Sequence, residues 1–233
     1  MKTIGLIGGT SYASTLDYYR IINEEINKKL GNLHSSQMLI YSVDYQKAVY
    51  EPKQKNDWEL IGKTFSEIAL SLQTGGADMV LIAANMPHKI APCITQKTKI
   101  PLVHIGEATG EYIAAKGYKK VGLIGSREIM EEDYLKKYYY PDKNGEILIP
   151  EEADREYINK VIFNEMCRGE FKEESRKEYL KIVEKLTQRG AEAVVMGCTE
   201  IPILLKNAPA SVPLLDTMKL HCLKAVELSL ERR

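Results

Sequence analysis

Cys198 closes the apolar run AEAVVMGC and opens the segment GCTEIP (197–202). A thiol there follows a buried strand and precedes a helix expected to start near Thr199 or Glu200. A helix N-terminus favours negative charge, so this position is expected to lower the thiol pKa and raise the thiolate fraction. Thr199 and the adjacent backbone N–H groups suit a carboxylate. The other three cysteines suit inert packing: Cys93 on a surface turn, Cys167 and Cys222 on helices. No two cysteines make a CxxC or zinc spacing, so no metal is expected.

Two further segments carry groups able to hold or move protons. In IGLIGGTSYAST (4–15) a strand runs into Gly8-Gly9, Thr10 and Ser11 ahead of a helix. Backbone N–H groups and hydroxyls at such a turn favour an anion, although a tight turn with an N-cap needs no ligand. The spacing is not GxGxxG, so a dinucleotide reading is weak. In AANMPHK (83–89), Asn85 offers a donor and an acceptor, and His88 an acid, a base or an orienting group. A lone histidine of this kind is more often structural. His104 and His221 fit a cleft or a satisfied polar position equally well, and the tyrosines at 138–140 suit a helix end.

Positioning these groups requires strands that end beside them. Apolar runs at 2–8, 37–43, 78–83, 101–105, 120–125, 146–150, 192–197 and 212–216 read as parallel strands buried on both faces. Helices are expected at 15–31, where Gly31 suits the C-cap, and near 57–74, 106–116, 128–138, 152–167, 173–188 and 217–231. The polar stretch 140–146 reads as a turn. Three blocks recur in order: IGLIG (4–8) as VGLIG (121–125), GADMVLIAAN (76–85) as GAEAVVMGCT (190–199), and IPLVH (100–104) as VPLLD (212–216). The repeat predicts two similar parallel-sheet αβα domains related by a pseudo-twofold axis, with the active site in the cleft between them. It also makes Ala84 the equivalent of Cys198, and Asn85 that of Thr199. Parallel sheets bind ligands at the carboxyl ends of their strands, where these residues fall. The expected domains are 1–103 with 214–233, and 104–213.

Bulk properties narrow the class. Lys and Arg together number 32, as do Asp and Glu, so no net charge draws the chain to nucleic acid or an anionic membrane. The longest apolar runs are too short to span a bilayer, and the N-terminus lacks a full signal-peptide core. A cytoplasmic protein with free thiols is expected.

The segments IGLIGGTS (4–11), NMPHK (85–89), PLVHIGEATG (101–110), KKVGLIGSREIM (119–130), VIFNEMCRGEF (161–171) and GCTEI (197–201) together resemble the aspartate/glutamate racemase family, in its aspartate racemase branch. The resemblance spans nearly the whole chain. It implies an amino-acid racemase acting without PLP or any other cofactor, on a small amino or dicarboxylic acid, often as a homodimer. It also implies that the last helix packs on the first domain. In the family scheme one thiol removes the α-proton and a second reprotonates the opposite face. Cys198 is then the catalytic acid/base. Thr10, Asn85, Thr199 and the N–H of Met86 are expected to hold the carboxylate or amino group. Tyr45 and Gln46 fall on a loop that reaches the substrate in such folds, and Ser11, Ala84 and Glu200 complete the expected lining. The chain departs from the family at Ala84-Asn85-Met86-Pro87-His88, where C/T-N-T-x-H is usual, and carries Ser126 and Ile129 where threonines are common. An alanine methyl cannot transfer a proton. Three readings follow: a racemase whose second face is served by water, Ser11 or His88; a one-thiol, decarboxylase-like enzyme; or a non-catalytic binder of a small acid.

Overall fold

The structure, a computed structural model, describes residues 1–231. In chain order it runs β1 (Ile4–Gly8), α1 (Tyr12–Leu30), β2 (Met38–Ser42), a π-helical turn (Gln46–Tyr50), α2 (Glu51–Gln54), α3 (Trp58–Thr74), β3 (Met79–Ile82), a 3-10 turn (Met86–Ile90), α4 (Ala91–Lys97), α5 (Ile105–Lys116), β4 (Lys120–Ile124), α6 (Arg127–Glu131), α7 (Asp133–Tyr139), β5 (Glu146–Leu148), α8 (Glu152–Asn164), a 3-10 turn (Met166–Arg168), α9 (Glu173–Gln188), β6 (Ala193–Met196), α10 (Ile201–Leu204), β7 (Leu214–Asp216) and α11 (Thr217–Leu230). These form two compact units, Met1–Ile105 with the chain from Met218 onward, and Gly106–Thr217.

In the first unit the parallel strands lie in the order β2-β1-β3. β1 and β3 are buried along their whole length, which is why they read as unbroken apolar runs. Ile4 and Leu6 of β1 face a core shared with Tyr18, Ile22 and Ile26 of α1 and Cys222 and Val226 of α11. Ile7 faces the opposite core with Ile61, Phe65 and Ile68 of α3. β2 is the edge strand, and its second half is exposed rather than buried on both faces. Ser11 caps α1 by accepting from Ser14 N at 3.4 Å, and Gly31 ends it by donating to Asn27 O at 2.7 Å. The strand expected at 101–105 shrinks to a single parallel bridge between Val80 and Leu102. Pro101 has no N–H to give to a ladder, and α5 already begins at Ile105.

The second unit repeats this order with an added strand, β5-β4-β6-β7, all parallel. β4 pairs with β6 as β1 pairs with β3, and Val194 meets Leu214 as its equivalent Val80 meets Leu102. The internal repeat is therefore structural. Residues 214–216, expected with the first domain, pair in the second sheet as β7. Ile124, Val194 and Met196 build the core against Ile158, Val161, Tyr179 and Ile182 of α8 and α9. The helix expected near 128–138 is two, because Glu132 is extended between α6 and α7. The helix expected at 152–167 stops at Asn164 and continues as a separate 3-10 turn.

Candidate active site

At the carboxyl end of the first sheet, β1 turns into α1 through Gly8 and Gly9. Gly9 adopts φ +81°, and a Cβ there would run into the Val43 backbone. Only glycine fits this close approach of β1's end to the chain leaving β2. The turn is then tied to β3. Thr10 Oγ1 and Ser14 Oγ donate to Ala83 O at 3.3 and 3.2 Å, and Thr15 Oγ1 accepts from Gly9 N at 2.9 Å. Thr10 is buried and Ser11 half-buried. Ala84 follows half-buried, Asn85 is buried, and Met86 opens the 3-10 turn with its side chain against the α3 core. Thr10, Ser11, Ala84, Asn85 and Met86 thus gather at one strand end. Tyr45 packs half-buried on the same core just past β2. Gln46 is exposed, its amide donating to Glu51 Oε1 at 3.1 Å, and it starts a π-helical turn rather than a loop.

The histidines of this unit form a buried cluster that the spacing did not reveal. His88 Nδ1 donates to Ala84 O at 2.8 Å, and Nε2 accepts from Ile105 N at 3.2 Å. Both ring nitrogens are used, so the ring is neutral and its tautomer fixed. Burial first, then His104 and His221, holds its pKa well below the ordinary value. His221 donates from Nε2 to Val103 O and accepts at Nδ1 from Tyr18 OH, both at 2.8 Å, and burial lowers it to about 4. The rings of His88 and His104 meet edge-on at 4.6 Å. His88 is thus a structural clasp between Ala84 and Ile105.

At the carboxyl end of the second sheet, Gly197 N donates to Ile124 O at 2.7 Å and Cys198 turns half-buried out of β6. A Cβ at Gly197 would lie 2.6 Å from Ile129 Cγ2. Ile129 therefore packs directly beneath the cysteine turn. Cys198 Sγ donates to Glu200 Oε2 at 3.1 Å, and Thr199 Oγ1 donates to the same oxygen at 2.9 Å. Thr199 and Glu200 are buried. The expected lowering of the thiol pKa is overturned. Burial first, then the Glu200 carboxylate and Cys167, push it well above the usual value. The helix beyond is the single turn α10, whose weak dipole cannot offset a contacting carboxylate.

Two repeated parallel sheets, one with a thiol at its carboxyl end, can be compared as a whole with known proteins. The Asp/Glu/hydantoin racemase family model matches residues 7–225. The chain belongs to this family. The crystal structure of a candidate Asp/Glu racemase from Yersinia pestis is 37% identical, superposes with a TM-score of 0.92 and covers 99% of this chain and 100% of its own. An aspartate racemase homologue from Pyrococcus horikoshii OT3 is 31% identical with a TM-score of 0.85, over 99% and 100% of the two chains. The broad specificity amino-acid racemase RacX of Bacillus subtilis (strain 168) is 20% identical over 92% of each chain. Among the described residues, no helix is long and apolar enough to cross a membrane, and no group of three or more His, Cys, Asp or Glu could hold a metal ion.

Proposed function

We propose that this racemase-family protein moves the α-proton of an aspartate- or glutamate-like amino acid without PLP or other cofactor, with Cys198 as the acid/base. The observation that carries the proposal is the Cys198 thiol at the end of β6, hydrogen-bonded to Glu200 in a chain of this family. As base, Cys198 takes the α-proton and leaves a carbanion. Inversion then requires a proton from the opposite face, a role assigned to water or the Ser11 hydroxyl, and in the reverse direction Cys198 is the acid on its own face. Thr10, Ser11, Asn85, Thr199 and the Met86 N–H are the proposed substrate contacts, because donors near the carboxylate tolerate charge developing at Cα. Tyr45 and Gln46 are proposed to border the substrate from the β2 side.

A one-sided reaction, as in a one-thiol decarboxylase, is the second reading. It is favoured by Ala84, which occupies in the first unit the strand-end position that Cys198 occupies in the second. A binder of a small acid is the third. Single enantiomers of aspartate and glutamate in D2O separate them. Inversion with deuterium at Cα supports racemisation, deuterium without inversion supports one-face exchange, and binding without exchange supports the third. Ala84→Cys is expected to raise inversion if the missing second thiol limits it.

The proposal includes a cytoplasmic homodimer. All four cysteines are thiols, which suits a reducing compartment. Tyr12, Leu16 and Tyr19, at four- and three-residue spacing, form an exposed apolar stripe along α1. An exposed apolar stripe of this kind marks an interaction surface, and a second copy would cover it. Asp17, Arg20 and Glu24 beside the stripe carry both signs, so a twofold-related copy meets complementary charge.

A further inference from the structure

We propose that Glu200 is the proton partner of Cys198, a positioning residue that takes the thiol proton to free the thiolate and returns it afterwards. The proposal rests on the racemase reading for its catalytic consequence, but the pairing itself stands on geometry. The thiol and the Thr199 hydroxyl both donate to one oxygen of a buried carboxylate. Two donors on Oε2 make it the acceptor and fix its direction. Glu200 cannot swing away without leaving Thr199, so the thiol proton is aimed at one acceptor.

A thiol beside a carboxylate is a poor base as long as it keeps its proton. Transfer within the pair removes that obstacle without water. The S–H bond breaks, an O–H bond forms on Glu200, and one negative charge moves from oxygen to sulfur. The thiolate then takes the α-proton: the Cα–H bond breaks, its electron pair stays on carbon, and S–H re-forms. The pair now holds two protons. In the reverse direction Sγ–H gives its proton to the carbanion, and Glu200 re-protonates the sulfur. Among the described residues of this unit, no other group beside the thiol suits the role. The groups facing Cys198 are Glu200 and Thr199 from its own turn, Cys167 from the 3-10 turn and Tyr179 from α9. Tyr179 OH is committed to Ile158 O at 3.1 Å. Thr199 is not a base at neutral pH, and the Cys167 thiol is itself a proton donor.

The test compares wild type, Glu200→Gln and Glu200→Asp by two readouts. One is the pH profile of Cys198 alkylation by iodoacetamide, followed by mass spectrometry of its peptide. The other is kcat and KM for α-proton exchange. The Gln variant is expected to alkylate about tenfold faster at neutral pH, since losing the adjacent charge lowers the thiol pKa. Its kcat is expected to fall at least about tenfold, because the thiol proton has lost its acceptor. A thiol that becomes more reactive while exchange becomes slower is the signature of the pairing. The Asp variant, still charged, should keep the slow wild-type alkylation profile. An alkylation profile unchanged in the Gln variant overturns the proposal, as does a raised KM with kcat intact, which would make Glu200 a substrate contact. If wild type exchanges no α-proton, the racemase reading fails while the alkylation profiles still decide the pairing. The infrared S–H stretch of wild type needs no variant. A band shifted as for a thiol donating to a carboxylate is expected, and an unshifted one overturns the proposal.

Discussion

Cys198 and Gly9 are the two residues whose replacement has the sharpest consequences. Cys198→Ala removes the thiol at the end of β6 and leaves a small apolar gap. Acid–base groups of this kind contribute about 10²–10⁴-fold. The variant is expected to fold and bind a dicarboxylate while α-deuteration in D2O falls by at least about 10²-fold, measured by proton NMR. Unchanged exchange would remove Cys198 from the mechanism. Gly9→Ala acts differently. It forces a side chain into a left-handed conformation and against the Val43 backbone. Left-handed strain alone costs about 1–3 kcal/mol. Thermal unfolding should show a clear drop in Tm together with loss of activity, since Thr10 and Ser11 follow directly.

At the scale of elements, α11 is held to the first sheet through the buried His221. Its folded pKa of about 4 lies below the ordinary 6.5, so the fold binds the neutral ring. His221 therefore adds stability that is fully present above about pH 6.5 and is lost as the pH falls toward 4. Integrated over that window the loss is about 3 kcal/mol. His88 is lowered for the same reason and acts in the same direction. Urea midpoints are expected to fall steeply between these pH values. His221→Gln should flatten that slope while lowering stability at neutral pH, where it breaks the bonds to Tyr18 and Val103. A slope identical to wild type would contradict the assignment.

For the whole molecule, the repeat and the family agree on two units built on one plan. The proposed homodimer is a separate matter, assigned to the α1 stripe. A stable interface buries about 800 Å² per partner around an apolar centre. Leu16→Glu places a charge at the middle of the stripe, on a side chain 65% exposed in the single chain. The variant should sediment as a monomer where wild type sediments as a dimer, with its far-UV circular dichroism preserved. A wild type that sediments as a monomer at all concentrations would refute the dimer.

The sequence by itself determined the parallel-sheet architecture and which cysteine stands at a strand end. Unbroken apolar runs such as 78–83 and 192–197 suit parallel strands covered on both faces, and the repeated blocks carried their pairing with them. The glycines at 8–9 and 197 and the cysteine at 198 marked the strand ends because local backbone geometry demands those residue types. Only the tertiary structure decided the chemistry around them. The Cys198 pKa depended on which acceptor the thiol would find, and the turn brings Glu200 back onto Sγ, against the direction a helix end would suggest. His88, His104 and His221 lie far apart in the chain and meet only when α11 closes on the first sheet. Burial and long-range contact set proton affinities, and neither is encoded in the spacing of residues along a chain.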